Sequence, residues 1–419
     1  MNFNTNRRPI RVIQFGGGVF LRGFFNWMMQ KSIEKRAFDG NAVIVRSRTR
    51  GIDPLETIGY CYTHIARDGA HEDVTPINCI SGSISAAEDY RAFLKLAENA
   101  ETDIIVSNTT EAGIVYEACP MPTEVCPESY PAKLTALLYH RYRTVGNGML
   151  ILPCELIENN GAVLREYVWH HASDWGLEKG FFDWLEKDCS FRNTLVDRIV
   201  SGTSTEDETI NCSEYFHLFV IEGEEDPRLP FRDAGLNVKW VPSVVPYRTI
   251  KVRILNGAHT SMIPYALLCG AETVHDCLQD PRIRAHLSQC LDEIVDSLSV
   301  PREAAEAYAK DVLERFANPH IRHLCASVSL NSVSKFRVRV LPSILEYREK
   351  FGVYPRQLLF SFGKLIDFYQ NGTPKDASEV IEWMRSSSVA EILTDQTVWG
   401  TDLSDLCKEV EADANPSVR

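Results

Sequence analysis

Arg11-Val-Ile-Gln-Phe15-Gly16-Gly17-Gly18-Val19-Phe20-Leu21-Arg22 is the stretch that decides the fold. A short apolar run meets three consecutive glycines, and an apolar, aromatic stretch with helical character follows over residues 20–29. The order is strand, tight turn, helix. Glycine lets backbone amides approach a pyrophosphate, and the start of the following helix favours its charge, so the run from Gly16, Gly17 and Gly18 through Val19 and Phe20 is a candidate dinucleotide site. Leu21 stands where the usual G-x-G-x-x-G spacing has its third glycine, and a glycine-rich turn without a ligand is the other reading. Arg22 fits a phosphate contact or a surface position.

Outward from this unit, residues 42–45, 103–106 and 149–152 are further apolar runs of strand length, and helical patterns over 86–97 and 131–142 alternate with them. Such alternation predicts a parallel, doubly wound sheet. After about Pro246 the texture changes to long helical patterns over 251–269, 280–298, 302–316, 334–351 and 355–369. The fold class predicted is therefore α/β, a Rossmann-type domain over 1–245 followed by a mostly α-helical domain over 246–419. Residues 202–209 and 222–226 read as polar loops, and the charged tail 409–419 as frayed.

A chain of 419 residues suits two domains, and 44% hydrophobic with 24% charged residues is the balance of a soluble globular protein. No run reaches the length of a membrane span, and the polar N-terminus lacks an apolar leader, which places the expectation in the cytoplasm. The 12 cysteines are scattered without a C-x-x-C pair, as in a reduced compartment. A formal charge of −13 argues against nucleic acid as a partner. An acidic substrate would then need a local cationic pocket.

Lys251-Val-Arg-Ile-Leu-Asn256-Gly-Ala-His259 supplies the chemistry. At about 100° per residue, Asn256 falls roughly 140° and His259 roughly 80° from Lys251, so an amine, an amide and an imidazole share one helix sector. Leu255 and Met262 lie beside that sector. Apolar neighbours and the positive end of a helix both disfavour an ammonium, which suits a lysine that trades protons near neutrality. A metal-free alcohol dehydrogenase needs such a group. An ordinary helix with a snorkelling lysine and a satisfied core histidine fits the same letters. His320 and His323, near Asp311 and Glu314, lack the H-E-x-x-H order of a metal hydrolase and read as structural or surface residues; no metal is expected. Adjacent His170 and His171 point in different directions and make poor joint ligands.

Together, Gln14-Phe15-Gly16-Gly17-Gly18-Val19-Phe20-Leu21-Arg22, Lys251-x4-Asn256-x2-His259 and Arg315-Phe-Ala-Asn318-Pro319 resemble the polyol-specific long-chain dehydrogenases, the mannitol dehydrogenase group. Ser107-Asn108-Thr109-Thr110-Glu111-Ala112-Gly113-Ile114, Leu152-Pro153-Cys154-Glu155-Leu156-Ile157, and Ser329-Leu330-Asn331-Ser332 followed by Lys335-Phe336 are similar to its keto-uronate-reducing branch, tagaturonate-specific members before fructuronate-specific ones. The resemblance runs from about residue 11 to 369. It implies a site between the two domains, NAD(H), no metal, and Lys251 as general acid and base. By the same carry-over, Asn256 polarises the reacting oxygen, His259 binds a substrate hydroxyl, Lys335 binds substrate, and Asn108, Thr109 and Glu111 join the cofactor contacts. The implied substrate pair is a six-carbon keto-uronate and its hexonate.

Two departures accompany this. Leu156 replaces an asparagine that shares oxyanion stabilisation in polyol-oxidising members, and such a donor is a large term. Gly223 and Ser327 stand near an Asp and an Arg of those members, and losing an acid suits a carboxylate-bearing ligand. That carboxylate needs a cation: Lys335, Arg337 and Arg339 are nearest in sequence, with surface ion pairs the preferred role for the two arginines. After the second strand, Arg46-Ser47-Arg48-Thr49-Arg50 carries no acid until Asp53, which suits NADP or a solvated basic turn, and NAD against NADP stays open here. Fructuronate reduction and mannitol or arabinitol oxidation are the neighbouring activities, and a nucleotide sensor without catalysis is the reading from another class.

Overall fold

Alternate residues of the apolar runs pack on opposite sides of one sheet. Val12, Ile44, Val106 and Leu152 enter one core, while Ile13, Val43, Ile105 and Ile151 enter the other. Strand side chains alternate faces, so a strand covered on both sides reads as uninterrupted apolar sequence. The computed structural model describes residues 8–46, 54–109, 113–202 and 209–414. It divides the chain into two compact units, Met1–Val244 and Val245–Arg419.

In the first unit the strands lie in the order Ile80–Ser85, Asn41–Arg46, Ile10–Phe15, Ile104–Ser107, Leu150–Pro153, Ser190–Phe191. All pairings are parallel. Counted along the chain within this sheet the order is 3-2-1-4-5-6, with its reversal between Ile10–Phe15 and Ile104–Ser107. Ligands of doubly wound sheets bind outside the carboxyl ends of the strands at that reversal. The helix expected over 86–97 is shorter. Asp89 caps Tyr90–Lys95 by accepting from the Ala92 amide at 2.8 Å, and a 3₁₀ turn, Leu96–Glu98, ends it.

Two small sheets escape the sequence reading: Val200–Gly202, Ile210–Glu214, Tyr62–Arg67 and Glu72–Ile77 form one, and Val238–Val241, Leu218–Glu222 and Thr194–Asp197 the other. Within the first, His64 is fully buried between Asn211 (2.8 Å) and Ser213 (2.9 Å). Burial, helped by the Arg198 charge, lowers its pKa to about 3, so this imidazole is neutral.

The second unit is helical among its described residues. Its leading helix starts at Val245, six residues before the expected start, widens into a π segment over Lys251–Asn256 and continues as Gly257–Leu268. The wide turn is held from behind: Arg253 makes a two-pronged pair with Glu346 (2.9 Å on each arm) and donates to Ser343 at 2.8 Å. Gly257–Leu268 is apolar nearly all round because Pro281–Ser297, Ser332–Arg339 and Arg356–Asn371 surround it. The pattern over 334–351 splits into Ser332–Arg339 and Leu341–Phe351 at Val340, since Pro342 lacks the amide hydrogen that a continuous helix requires and suits a first turn instead. Of the tail expected to fray, residues 409–414 instead belong to the helix Cys407–Ala414, with Val410 buried, and residues 415–419 lie outside the described residues. All 12 cysteines are free thiols. No helix among the described residues is long and apolar enough to cross a membrane.

Candidate active site and nucleotide site

Gly16 turns the chain out of the first strand at φ +102°, and a Cβ there would stand 2.7 Å from the Asn108 carbonyl oxygen. Its amide donates to the Val45 carbonyl at 3.1 Å, so the turn bridges the ends of the first two strands. A Cβ on Gly17 would meet Ile44 at 3.3 Å, whereas Gly18 faces open space. Val19 is partly exposed, Phe20 stacks on Phe24 at 5.1 Å, and a cavity of about 300 Å³ opens beside Gly16, Thr109 and Arg46. Bare backbone beside an open cavity at the sheet reversal is a cradle that fits a dinucleotide.

Three details differ from expectation. Arg22 is buried rather than exposed, its guanidinium 5.9 Å from the Tyr62 ring centre, and the Tyr62 hydroxyl donates to the Arg22 carbonyl at 2.8 Å. Gly23 does the packing work of the missing third glycine: a Cβ there would lie 2.7 Å from Asn211 Oδ1 and 2.9 Å from His64 Cε1. Arg46 forms an ion pair with Glu88 at 3.5 Å, while Arg48, Arg50, Asp53 and Glu111 lie outside the described residues.

Asn108 and Thr109 are set by a buried carboxylate. Glu155, 2% exposed, accepts from the Thr109 amide (2.8 Å), the Thr109 hydroxyl (2.9 Å) and the Ser107 hydroxyl (3.0 Å), and Asn108 Nδ2 donates to the Cys154 carbonyl at 2.9 Å. Burial outweighs these bonds and raises the Glu155 pKa. Glu155→Ala should cost about 2–4 kcal/mol by leaving three donors unmet. Glu155→Gln keeps an acceptor for Thr109 and should cost less. A raised carboxyl pKa means the folded chain binds its proton more tightly than the unfolded chain. Wild type should therefore gain on the Gln variant as pH falls through the folded pKa towards the unfolded one, and urea unfolding at neutral and mildly acidic pH checks that sign. Leu156, beside it, is 47% exposed. Gly223 (φ +108°) has no room for a Cβ against the Arg192 guanidinium, and both line a larger cavity of about 770 Å³ in the same unit.

In the second unit Lys251 is buried at 8% exposure, with Leu255 and Met262 buried too, and Asn256 is half-buried. The i→i+5 bonding of the π segment breaks the fixed 100° step used for the sequence, and the earlier helix start removes Lys251 from the positive end. His259 is buried, stacked on Phe316 (centroids 4.1 Å) and edge-on to His323 (5.0 Å), and its Nε2 has no hydrogen-bond partner. Burial first, then His323, Arg339, Arg315 and Lys335, hold its pKa well below the usual value. It is a neutral imidazole that can donate or accept a hydrogen bond.

The expected roles sort out accordingly. Lys335 belongs to this cluster and donates to the Val328 carbonyl at 3.0 Å. Arg337 instead reaches the Thr397 carbonyl at 3.4 Å. Arg339 is half-buried, and its charge is among those that lower the His259 pKa. His323, expected in a structural or surface role, packs against the candidate site, while His320 is exposed. His171 is buried and His170 exposed, so they do diverge. Among the described residues no group of His, Cys, Asp and Glu is arranged to hold a metal. Sequence reasoning missed Arg315 and His323 as members of the site. Arg315 was in the quoted motif, and its place just before the ring that covers His259 is the signal.

The model of the mannitol dehydrogenase Rossmann domain matches residues 10–230, and that of the mannitol dehydrogenase C-terminal domain matches residues 243–415. The altronate oxidoreductase of Bacillus subtilis is 39% identical over 96% of this chain and 90% of its own length. That of Klebsiella pneumoniae is 37% identical over 98% and 95%. Among solved structures, mannitol 2-dehydrogenase of Pseudomonas fluorescens, in ternary complex with NAD and D-mannitol, superposes with TM-score 0.77 at 20% identity over 97% of this chain and 91% of that one. A substrate-free D-sorbitol dehydrogenase gives TM-score 0.78 at 19% identity over 96% and 92%.

Proposed function

The chain belongs to the mannitol dehydrogenase family, and from that premise we propose that it interconverts D-tagaturonate and D-altronate with NAD(H). The observation that carries the reading is a buried lysine on the helix of a neutral histidine whose open nitrogen lies among cations, in a chain akin to altronate oxidoreductases. Bound NAD(H) supplies or takes the hydride at the carbon that carries the reacting oxygen. Gly17 and Gly18 would hold its pyrophosphate through bare backbone amides, with Gly16 making the turn that presents them and Asn108 and Thr109 on the next strand end. Arg46, already engaged by Glu88, is a poor seat for a 2′-phosphate, which supports NAD over NADP.

Lys251 holds the mobile proton. Its ammonium donates to the ketone oxygen in reduction, and its amine takes the hydroxyl proton in oxidation. Asn256 donates to that oxygen as negative charge builds, which lowers the barrier more than it strengthens ground-state binding. His259, being neutral, binds a substrate hydroxyl without adding charge. Lys335 is a further substrate contact. Twelve free thiols support a reduced, cytoplasmic setting.

The test is NADH oxidation with D-tagaturonate, D-fructuronate and D-fructose side by side. Tagaturonate should be preferred by at least about tenfold in kcat/KM. Activity with fructose alone would move the chain to the polyol oxidisers, and silence with all three would leave a nucleotide sensor.

A further inference from the structure

Val19–Gly23, the helix that begins directly after the glycine turn, is five residues long and has no side-chain cap at its start. It stops at Phe24 (φ −121°, ψ −80°), and a separate helix, Phe25–Glu34, follows. A helix this short does not hold itself, because its nucleus is costly and its last carbonyls have no partner within it. Side chains from far along the chain take up its carbonyls instead. Asn211 Nδ2 donates to that of Val19 at 3.3 Å, the Tyr62 hydroxyl to that of Arg22 at 2.8 Å, and the Arg198 guanidinium to that of Gly23 at 2.8 Å. Tyr62 and Asn211 stand on strands of one small sheet, and Arg198 follows directly on Thr194–Asp197 of the other.

We propose that Arg198 and Tyr62 are positioning residues for NAD(H): they fix the Gly23 end of the helix whose other end, at Gly18, presents the amides to the pyrophosphate. The assignment rests on the nucleotide reading above and adds what aims that cradle. Arg198 is held from two further sides, its Nε donating to the Glu214 carbonyl at 3.0 Å and its guanidinium lying 4.1 Å from the Trp27 ring centre on the next helix. It is buried, so it acts on the cofactor through the helix rather than by contact. A cation at the carboxyl end of a helix also favours the direction of its dipole, the same direction that draws an anion to the opposite end. Val19–Gly23 spans only roughly 7 Å at 1.5 Å per residue, so a displaced Gly23 moves the amides after Gly18 as well. Gly23 lets the helix end close on its holders, since a Cβ there would overlap Asn211 and His64. Plain core packing would spread such bonds over many elements, whereas all three here converge on one five-residue helix.

The test reads NADH affinity apart from turnover in Arg198→Met, Arg198→Lys and Tyr62→Phe. Arg198→Met should raise the NADH dissociation constant in fluorescence titration by at least about tenfold, while kcat at saturating NADH and the KM for D-tagaturonate stay within about twofold. Arg198→Lys keeps a cation at the helix end and should recover part of the loss. Tyr62→Phe removes one oxygen and should show the same split at about threefold or more. In the cofactor-free protein, amide hydrogen exchange over residues 19–24 should quicken in the Met variant by at least about tenfold, and unchanged exchange there refutes the route through the helix. NADH affinity within about twofold of wild type in a folded Met variant overturns the proposal, as does a loss shared equally by kcat and both KM values, which would mean a general loosening of the fold. If the Met variant does not fold, the other two decide, and wild-type NADH affinity in both refutes the assignment. A wild type that binds no NADH is a different failure, that of the cofactor reading itself.

Discussion

Lys251→Met should lower tagaturonate turnover by about a thousandfold or more while changing the NADH dissociation constant by less than about threefold. Methionine nearly matches the length and apolar stem of lysine, so the buried position is refilled and only the proton carrier is lost. The limb of the pH profile that reports this proton should vanish with it. Stopped-flow reduction with saturating NADH separates the loss of chemistry from any loss of binding. Turnover close to wild type would remove Lys251 from proton transfer and return it to the role of a snorkelling side chain.

The second large effect belongs to the other unit. Gly16→Ala should weaken NADH binding by about a hundredfold and lower the melting temperature, because φ +102° is open to glycine alone and the new methyl would press on a backbone oxygen 2.7 Å away. A backbone atom cannot swing aside as a side-chain tip can. Gly18→Ala is the contrast: nothing lies within 4 Å of its Cβ, so its melting temperature should hold, and any loss of NADH affinity reports the ligand filling that space. Fluorescence titration with NADH and thermal melts check both. Tight NADH binding by the Gly16 variant would refute the cradle.

The parallel sheet was legible because burial on both faces writes itself as unbroken apolar runs, as at residues 42–45 and 103–106. The small sheets were not. Tyr62–Arg67 interleaves His64 and Arg67 with apolar residues, and its polar centre is satisfied by Asn211 and Ser213 from a strand far along the chain, which no local pattern announces. Lys251, Asn256 and His259 were found as letters, but the π turn that carries the first two leaves no mark in apolar periodicity. Nor does any local pattern announce that the end of Ser332–Arg339 packs onto the helix of His259 at Gly257, 3.3 Å from the Arg339 carbonyl oxygen to where a Cβ would stand. Gly23 stands two places past the spacing that a motif search expects, yet the close approach it permits is the same.

The wide turn at Lys251–Asn256 also separates two kinds of constraint. In a uniform α-helix the heading of every side chain is tied to that of the next, so re-aiming a reactive group would drag the whole core-facing stripe with it. Here Gly257–Leu268 stays locked into its surrounding helices, and Arg253 clamps the wide turn from behind through Glu346. The segment in between acts as a joint with its own setting. Lineages sharing this scaffold could retune the aim of the amine to substrates of different length and stereochemistry at that joint, leaving the hydrophobic interior untouched.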